Sequence, residues 1–397
     1  MRPARATRVL AVACAVPTLL TTLASPATAI DSWSVPRQAW ITIKGHGCGH
    51  GHGMSQYGAE GAARQGLTYR QIANFYYPGT TWGTARGRVR VQISADTTDD
   101  LVVLARSRLR LRDSGTGSVT RLPANGATRW RIMVNNAGED RVAYLTDRWR
   151  PWRGLEGEGA FSAGRAPVTL VTPSGLRRYR GRLAADAPTT GGRARNTINT
   201  LSLENYLKGV VPLEMPASWS TAAVRAQAVA ARTYAAYERA HRTGPLCDTT
   251  SCQVYGGFDA EHPASNDAVQ ATAREALLHK GAPAFTQFAS SSGGWTSAGS
   301  MPYLAAKADP YDGWAGNPVH SWSTAVSDAV VEARWPGIGN LTRITVTQRD
   351  GNGEWGGRVE SVTLVGGRGR VVVSGDTLRS VLGLRSTWVT FVVRQRG

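Results

Sequence analysis

Beyond residue 29 the sequence lacks any uninterrupted apolar run of about 18 residues, the length that a bilayer-spanning helix requires. We therefore expect no membrane span. The one long apolar run, from Val9 to Leu23, follows three arginines and precedes the small residues Ala27-Thr28-Ala29. This order is typical of a secretory signal at residues 1–29, so we expect a mature chain that begins near Ile30 and is exported.

Acidic residues are scarce. The chain has 28 Asp and Glu against 46 Lys and Arg, a formal net charge of +18, and loss of the three signal arginines leaves +15. Nucleic acid is the usual partner of so basic a protein, but export and the scattering of basic residues through strand-like segments argue against it. Two interpretations stay open: contact with anionic wall polymers, and a basic surface that only keeps the protein soluble.

Cysteines are few as well, and Cys14 lies in the signal. The remaining Cys48, Cys247 and Cys252 allow at most one intramolecular disulfide. Cys247 and Cys252 are the natural pair, because the short loop between them can be closed by a bridge in an oxidising compartment.

The chain contains no internal repeat and no low-complexity segment, but its character changes twice. Residues 30–85 hold a glycine-histidine run and two short helical patterns, the second with a capping box at Thr68 and Gln71. Residues 86–195 show only short alternating runs broken by turn residues, which indicates a β-rich region.

From residue 196 onward helical patterns dominate. The longest is alanine-rich and runs from an N-cap at Ser220 to Gly244, and a second helix is predicted over residues 266–279. We therefore expect an α+β fold with a mixed core from residues 30–85 and 196–397 and a β-rich insertion at 86–195.

Glu214 is the first candidate for chemistry. It lies in an apolar stretch rigidified by Pro212 and Pro216, and desolvation there would raise the pKa of its carboxyl, as a general acid near neutral pH requires. A surface glutamate at a helix N-terminus is the alternative. Arg232, inside the alanine-rich helix, could hold a substrate group or orient Glu214, or it could be a helix-surface arginine.

In the run from Gly45 to Gly53 every second residue is glycine, so a ligand or another chain could approach the backbone closely, as in a sugar-binding wall. The alternative is zinc, because His46, Cys48, His50 and His52 lie close together. An extended run spaces them too evenly for a tetrahedral site. The Ser290–Ser292 turn lacks the Gly-x-Ser-x-Gly pattern and favours a polar loop beside an aromatic platform.

Several blocks together resemble one family. They are Leu203 to Val211, Glu214-Met215-Pro216-Ala217, Arg225 to Tyr234, Cys247 to Gly257, Asp309 to Asp312, and Gly49 to Ala59 with Tyr76 to Thr80. These blocks resemble the signature of the stage II sporulation protein D family, which also includes the amidase enhancer of vegetative cells.

The resemblance implies a lytic transglycosylase that cuts peptidoglycan glycan strands, with Glu214 as catalyst. It implies a secreted, wall-associated protein whose partners are glycan strands and, in the enhancer alternative below, a wall amidase. The substrate-binding residues implied are Arg232, His50, Ser55, Gln56, Gln253, Tyr255, Ser291 and Ser292.

Two alternatives in activity stay open. A hydrolase usually needs a second acid, for which Asp248, Asp309 and Asp312 are candidates, whereas an intramolecular transglycosylase can work with one carboxylate. A protein of another class, an enhancer that binds glycan and activates a wall amidase without cutting, carries the same motifs.

The chain departs from the family pattern in two respects. Some relatives bind zinc near this cysteine pair, often with a histidine before the second cysteine, where this chain has Ser251. A zinc site of His241, Cys247 and Cys252 is therefore the weaker alternative to the disulfide, and no other cofactor is implied.

The second departure is the order of the motifs. The strand Leu384 to Trp388, which typically precedes the glycine-histidine block, here ends the chain, while the block opens it. This order suggests a circular permutation. It predicts that Ala39–Lys44 lies beside Trp388–Val393 and that His50 and Gln56 face Glu214 across one groove.

Overall fold

The structure is a computed structural model that describes residues 31–189 and 192–396. The signal predicted at residues 1–29 lies outside the described residues. The first part of the chain forms β1 (Asp31–Ser34), β2 (Ala39–His46), β3 (Met54–Ser55), α1 (Gln56–Arg64), α2 (Tyr69–Tyr76) and β4 (Thr81–Thr84). The capping box predicted at Thr68 and Gln71 is confirmed at the start of α2.

The middle of the chain is built from strands, as its alternating pattern predicts. They are β5 (Arg88–Gln92), β6 (Leu101–Leu104), β7 (Arg110–Asp113), β8 (Val119–Arg121), β9 (Arg129–Val134), β10 (Asp140–Leu145), β11 (Trp149–Gly154), β12 (Gly159–Ser162), β13 (Val168–Thr172), β14 (Gly175–Tyr179), β15 (Arg182–Asp186) and β16 (Asn196–Ser202). They form two six-stranded sheets, in the orders β11-β10-β9-β6-β13-β14 and β5-β16-β15-β12-β7-β8. Buried side chains of both sheets, such as Trp130 and Phe161, belong to one apolar cluster.

The rest of the chain combines helices and strands. They are α3 (Leu203–Lys208), α4 (Val211–Glu214), α5 (Thr221–His241), α6 (Pro263–Ala271), β17 (Glu275–His279), β18 (Ala282–Pro283), β19 (Phe288–Ala289), β20 (Ser321–Ser327), α7 (Asp328–Arg334), β21 (Leu341–Arg349), β22 (Val359–Gly366), β23 (Gly369–Ser374), α8 (Gly375–Leu382) and β24 (Val389–Gln395). Mixed helix and sheet confirm the α+β class.

Helix α5 is the centre of the larger core. Its alanines are small enough for α1, α2, α6 and β17 to pack closely around it, and most of its residues are buried. Ser220 is the N-cap residue as predicted, but its side chain does not cap the helix. Instead, the buried carboxylate of Glu60 in α1 accepts hydrogen bonds from the Ser220 N–H at 2.8 Å and from its hydroxyl at 3.1 Å. A tertiary contact thus fixes the start of α5.

The helix predicted over residues 266–279 extends beyond the end of the observed helix. The helix ends at Ala271, and Glu275–His279 is strand β17, paired with β4. Arg274 takes a φ of 69°, a left-handed conformation that interrupts the helix. Leu277 is then buried within the core, so tertiary packing overrides the local helical pattern.

A second, smaller core lies at the two ends of the described chain. Strands β1 and β2 pack with β20 to β24 around buried residues such as Ile41, Val362 and Phe391. Strand β2 is central in a three-stranded sheet and pairs with β24, with Ile41 opposite Val393. The predicted adjacency of these two strands is therefore confirmed. The N-terminal block is divided between the two cores, because Met54 and the helices after it join the larger one.

In the described part of the chain, no helix combines the length and the apolar character that crossing a membrane would take.

Candidate active site

Glu214 is the last residue of the single helical turn α4, which leads towards α5. Pro212 fits the first turn, where a missing N–H costs little, and the chain turns to extended geometry at Met215. The Glu214 Oε1 accepts a hydrogen bond of 2.8 Å from the Val254 N–H, and the Gln56 side chain also hydrogen-bonds to the carboxylate. The carboxyl is therefore held in one orientation.

The pKa of Glu214 is raised. Burial is the dominant cause, and the hydrogen bonds from Val254 and Gln56 offset part of it because they favour the charged form. A raised pKa keeps more of the carboxyl protonated towards neutral pH. Glu214 can therefore donate a proton and afterwards accept one.

The carboxyl faces a cleft with a volume of about 380 Å³. Besides Glu214 itself, three chain segments and one residue of α5 form its walls. The lining residues are Gly49, His50, Gln56, Glu214, Tyr234, Thr250, Ser251, Cys252, Gln287, Phe288, Ala289 and Ser290. Among these described lining residues, Glu214 is the one carboxylate. His50 and Gln56 thus lie with Glu214 in one groove, as the sequence predicts.

His50 lies at the edge of this cleft in its neutral form. Its Nδ1 accepts a hydrogen bond of 2.9 Å from the His52 N–H, and the two rings stack with centroids 4.9 Å apart. Although part of the residue is exposed, desolvation of the ring is the main reason why its pKa falls to about 4, and the charges of His52 and Arg358 lower it further. The group can offer hydrogen bonds but carries no charge near neutral pH.

The glycine run packs against protein. Gly47, Gly49, Gly51 and Gly53 all have positive φ, so the run is not the evenly extended segment that the sequence suggests. A Cβ on Gly47 would lie 2.7 Å from the Ser291 carbonyl oxygen, and one on Gly53 would collide with that of Gln287. The glycines are needed because the neighbouring segment lies so close. The interpretation of the whole run as a sugar-binding wall is therefore corrected. Of its residues, only Gly49 and His50 line the cleft.

The structure does not place Arg232, predicted to bind substrate, in the cleft. The residue has no exposed surface and lies outside the cleft lining. Its guanidinium forms a bidentate pair with Glu204 at 2.9 and 2.8 Å and donates to the carbonyls of Val269 and Glu275. Arg232 therefore ties α5 to α3 and to the chain after α6.

Five other predicted substrate-binding residues are also buried and satisfied within the protein. Gln253 donates to the Ala231 carbonyl, and the Tyr255 hydroxyl donates to Asn199. The hydroxyls of Ser55 and Ser291 donate to Asp312, and that of Ser292 donates to Asp309. None of these side chains is among the residues that line the cleft.

The candidates for a second acid also lie outside the cleft lining. Burial raises the pKa of Asp312, but hydrogen bonds from His320, Ser55 and Ser291 outweigh it and leave the pKa lowered. Burial and the nearby charge of Asp312 raise the pKa of Asp309 to about 6. Asp248 accepts a hydrogen bond from the Ser94 N–H. The geometry thus gives none of the three access to a substrate in the cleft.

The predicted disulfide between Cys247 and Cys252 is present, with Cα atoms 5.5 Å apart. The His241 ring bonds within its own helix instead: its Nδ1 lies 2.8 Å from the Tyr237 carbonyl oxygen. Among the described residues, no group of three or more His, Cys, Asp and Glu is placed to hold a metal ion. Cys252 lines the cleft, and Val254, two residues later, holds Glu214.

A thiol count tests the bridge. In the chain from Asp31 onward we expect one reactive thiol, that of Cys48, in denatured but unreduced protein, and three after reduction. The double substitution Cys247→Ser and Cys252→Ser should lower the free energy of unfolding by about 2 kcal/mol, because it frees a short loop in the unfolded chain. Three thiols without reduction, together with one bound zinc per chain, would contradict the disulfide.

Sequence reasoning missed several residues of the cleft, including Tyr234, Thr250, Gln287 and Phe288. Tyr234 follows Arg232 by two positions on α5 and so points to the opposite side of the helix. A helical projection would have separated the two. The strand pairing of Phe288 with Met54 positions the 287–290 wall of the cleft, and no local sequence pattern predicts this pairing.

Fold and site together define an α+β protein with a single carboxylate in a polar cleft. Residues 192–279, which include Glu214, match the family model described as Stage II sporulation protein. This part of the chain is therefore similar to the family whose signature the motifs resemble.

Curated relatives agree with the family model. Over 134 residues the chain is 45% identical to the Amidase enhancer of Bacillus subtilis (strain 168), a match that covers 32% of this chain and 18% of that protein. It is 27% identical over 222 residues to the Stage II sporulation protein D of the same organism, covering 49% of this chain and 61% of the relative. The chain is 32% identical over 145 residues to the Stage II sporulation protein D of Bacillus amyloliquefaciens, a match that covers 30% of this chain and 42% of that protein. The matches thus span less than two thirds of each relative.

Proposed function

We propose that this protein cleaves the glycan strands of peptidoglycan as a lytic transglycosylase and leaves 1,6-anhydromuramoyl ends. The observation that carries the proposal is the lone carboxyl of Glu214, held by Val254 and Gln56 in the cleft with a raised pKa. Hydrolysis with a second carboxylate would need a partner across the cleft. Among the described residues that line it, Glu214 has none.

In the proposed reaction Glu214 acts twice. The protonated carboxyl gives its proton to the glycosidic oxygen as the bond from that oxygen to C1 of the muramic acid breaks. The carboxylate so formed then accepts the proton of the 6-hydroxyl of the same sugar while its oxygen bonds to C1. The carboxyl ends protonated again, no water is consumed, and no metal or cofactor enters a step.

The cleft also accounts for how a sugar chain would be held. Tyr234 and Phe288 offer apolar ring surface, and the neutral His50 with Gln287 and Thr250 offers hydrogen-bonding groups for hydroxyls. The proposed setting is the cell wall outside the cell, consistent with the secretory signal expected from the sequence.

A second candidate function is supported by the similarity to the Amidase enhancer. In this alternative the protein grips glycan in the same cleft and activates a wall amidase without cutting. The ring surface and hydrogen-bonding groups of the cleft serve binding as well as catalysis.

We also infer that the order of motifs is a circular permutation. The pairing of β2 with β24 places the two ends of the described chain side by side, so that the block could be joined at either end.

Product analysis decides between the two functions. Purified protein incubated with glycan strands, with and without stem peptides, should release fragments that mass spectrometry identifies as ending in 1,6-anhydromuramic acid. Fragments with reducing ends would instead indicate hydrolysis. Binding without any release, together with faster cleavage by an added wall amidase, would establish the enhancer and overturn the proposed activity.

A further inference from the structure

A second groove, with a volume of about 590 Å³, lies on the outer face of the sheet β5-β16-β15-β12-β7-β8. The two grooves share no lining residue among those described. In this sheet the inner residues Val89, Leu111 and Leu183 are buried, so their sequence neighbours point outward. Arginine occupies many of those outward positions.

Strand register places two of these arginines, Arg110 and Arg182, in one row across the sheet. Arg110 on β7 lies opposite Ser162 on β12, Ser162 lies opposite Arg182 on β15, and Arg182 lies opposite Thr200 on β16. Directly paired residues of antiparallel strands point to the same face. The small Ser162 therefore lies between two arginines whose strands are about 10 Å apart, two strand spacings. The groove is lined by Arg88, Arg110, Arg112, Arg165, Arg180 and Arg182.

Most of this charge is not neutralised by the protein. Of the six arginines, Arg180 pairs with Glu261, and within residues 31–189 and 192–396 the other five form no ion pair with a carboxylate. The Nε of Arg182 is buried without a hydrogen-bond partner. Burial lowers the pKa of Arg182, the neighbouring charges of Arg112 and Arg88 lower it further, and the charge of Glu158 offsets part of this effect. Such crowding of like charges costs stability unless an anion relieves it.

The rest of the lining limits what the anion can be. Beside the arginines it consists of hydroxyl, amide and small or aliphatic residues, such as Ser162, Thr200, Ser202 and Asn205. Among the described lining residues there is no aromatic ring on which a nucleic acid base could stack. Guanidinium forks match the paired oxygens of a phosphodiester, and the hydroxyls and the amide suit the alcohol groups of a polyol or sugar.

We propose that this arginine groove is a docking site for a phosphodiester-linked polymer of polyols or sugars, which holds the protein on an anionic surface while the Glu214 cleft acts separately. Several phosphates of one chain bind across the groove, so the affinity is multivalent and decreases steeply with salt. The groove goes beyond the proposed cleavage activity and does not depend on it.

Two variants with equal charge test the proposal. The groove variant carries Arg110→Gln, Arg112→Gln and Arg182→Gln. The control carries Arg343→Gln, Arg370→Gln and Arg394→Gln, at exposed positions on the strands that surround the smaller core. Binding of the full chain to immobilised poly(glycerol phosphate) is measured at several salt concentrations. We expect the groove variant to bind at least about tenfold more weakly and the control to change less than about twofold, because three phosphate contacts are lost only in the first.

The outcomes separate the alternatives. Equal weakening by both variants, or none by the groove variant, would overturn the proposal, and so would tighter binding to poly-glutamate or to single-stranded oligo-dT than to poly(glycerol phosphate). Because Arg182 is half-buried, the double variant Arg110→Gln and Arg112→Gln, both exposed, keeps the test valid if the triple variant does not fold. Release of anhydro ends from soluble glycan should be unchanged in the groove variant, so failure of the docking site and failure of the cleft are distinguishable.

Discussion

Substitution of Glu214 by glutamine is expected to lower the rate at which anhydro ends are released from glycan strands by about 10²- to 10⁴-fold, the usual contribution of a general acid and base. The amide can still accept the Val254 hydrogen bond at its oxygen, so the local geometry is retained. It cannot give a proton to the glycosidic oxygen or take one from the 6-hydroxyl. The loss should therefore appear in kcat, while binding of glycan changes little.

The thermal stability of Glu214→Gln shows whether a loss of activity comes from the chemistry or from unfolding. The pKa of Glu214 is raised in the folded protein, so the wild type loses stability as pH rises from about 4, where the unfolded carboxyl ionises, through the folded pKa. Glutamine does not ionise. Glu214→Gln should therefore unfold at the same temperature as the wild type or higher near neutral pH, and the difference should shrink below about pH 4.

The exposed Glu156→Gln serves as the matched substitution and should leave the rate unchanged. A Glu214→Gln protein that keeps full activity would remove Glu214 from the mechanism. An inactive variant that unfolds at lower temperature at neutral pH would show a structural role for the carboxylate instead.

The second large effect is expected for Arg232→Ala, which should lower the free energy of unfolding by about 3–5 kcal/mol, the usual cost of breaking a buried ion pair from one side. The guanidinium has no exposed surface, and its removal takes from the Glu204 carboxylate both bonds of the bidentate pair and from the Val269 carbonyl one hydrogen bond. Chemical denaturation, followed by fluorescence, measures the difference.

Arg239→Ala provides the control, because Arg239 is exposed on the same helix and its loss should change stability by less than about 0.5 kcal/mol. Arg232→Lys should fall between the two, since an ammonium cannot form the bidentate pair. An Arg232→Ala protein that is as stable as the wild type but has a raised KM for glycan would return Arg232 to the substrate-binding residues.

Arg232 illustrates why motif membership does not identify a binding residue. It lies in a motif next to alanines, and the same sequence fits an arginine that faces a ligand and one that faces the protein. The choice depends on α3 and α6, which bring Glu204 and the Val269 carbonyl to the guanidinium from distant parts of the chain. The same holds for three serines of the motifs. The hydroxyls of Ser55 and Ser291 donate to Asp312 and that of Ser292 donates to Asp309, so they bond within the protein.

Features that depend on local chemistry could be predicted from the amino-acid sequence. The apolar and proline-rich surroundings of Glu214 indicated a raised pKa, the short spacing of Cys247 and Cys252 indicated a bridge, and the alanine-rich run indicated α5. These outcomes depend on residues that are near one another in the chain.

Which surfaces face solvent and which distant segments meet depends on the three-dimensional packing of the whole chain. The alternation around Arg110 and Arg112 marks a strand with one outward face, but pairing with β12 and β15 brings Ser162 and Arg182 beside it and so forms the groove. The glycine run permits a close approach without specifying its partner, and the 287–292 segment becomes that partner by packing. Strand pairing and burial join residues hundreds of positions apart, and the free energy of those contacts has no local signature in the sequence.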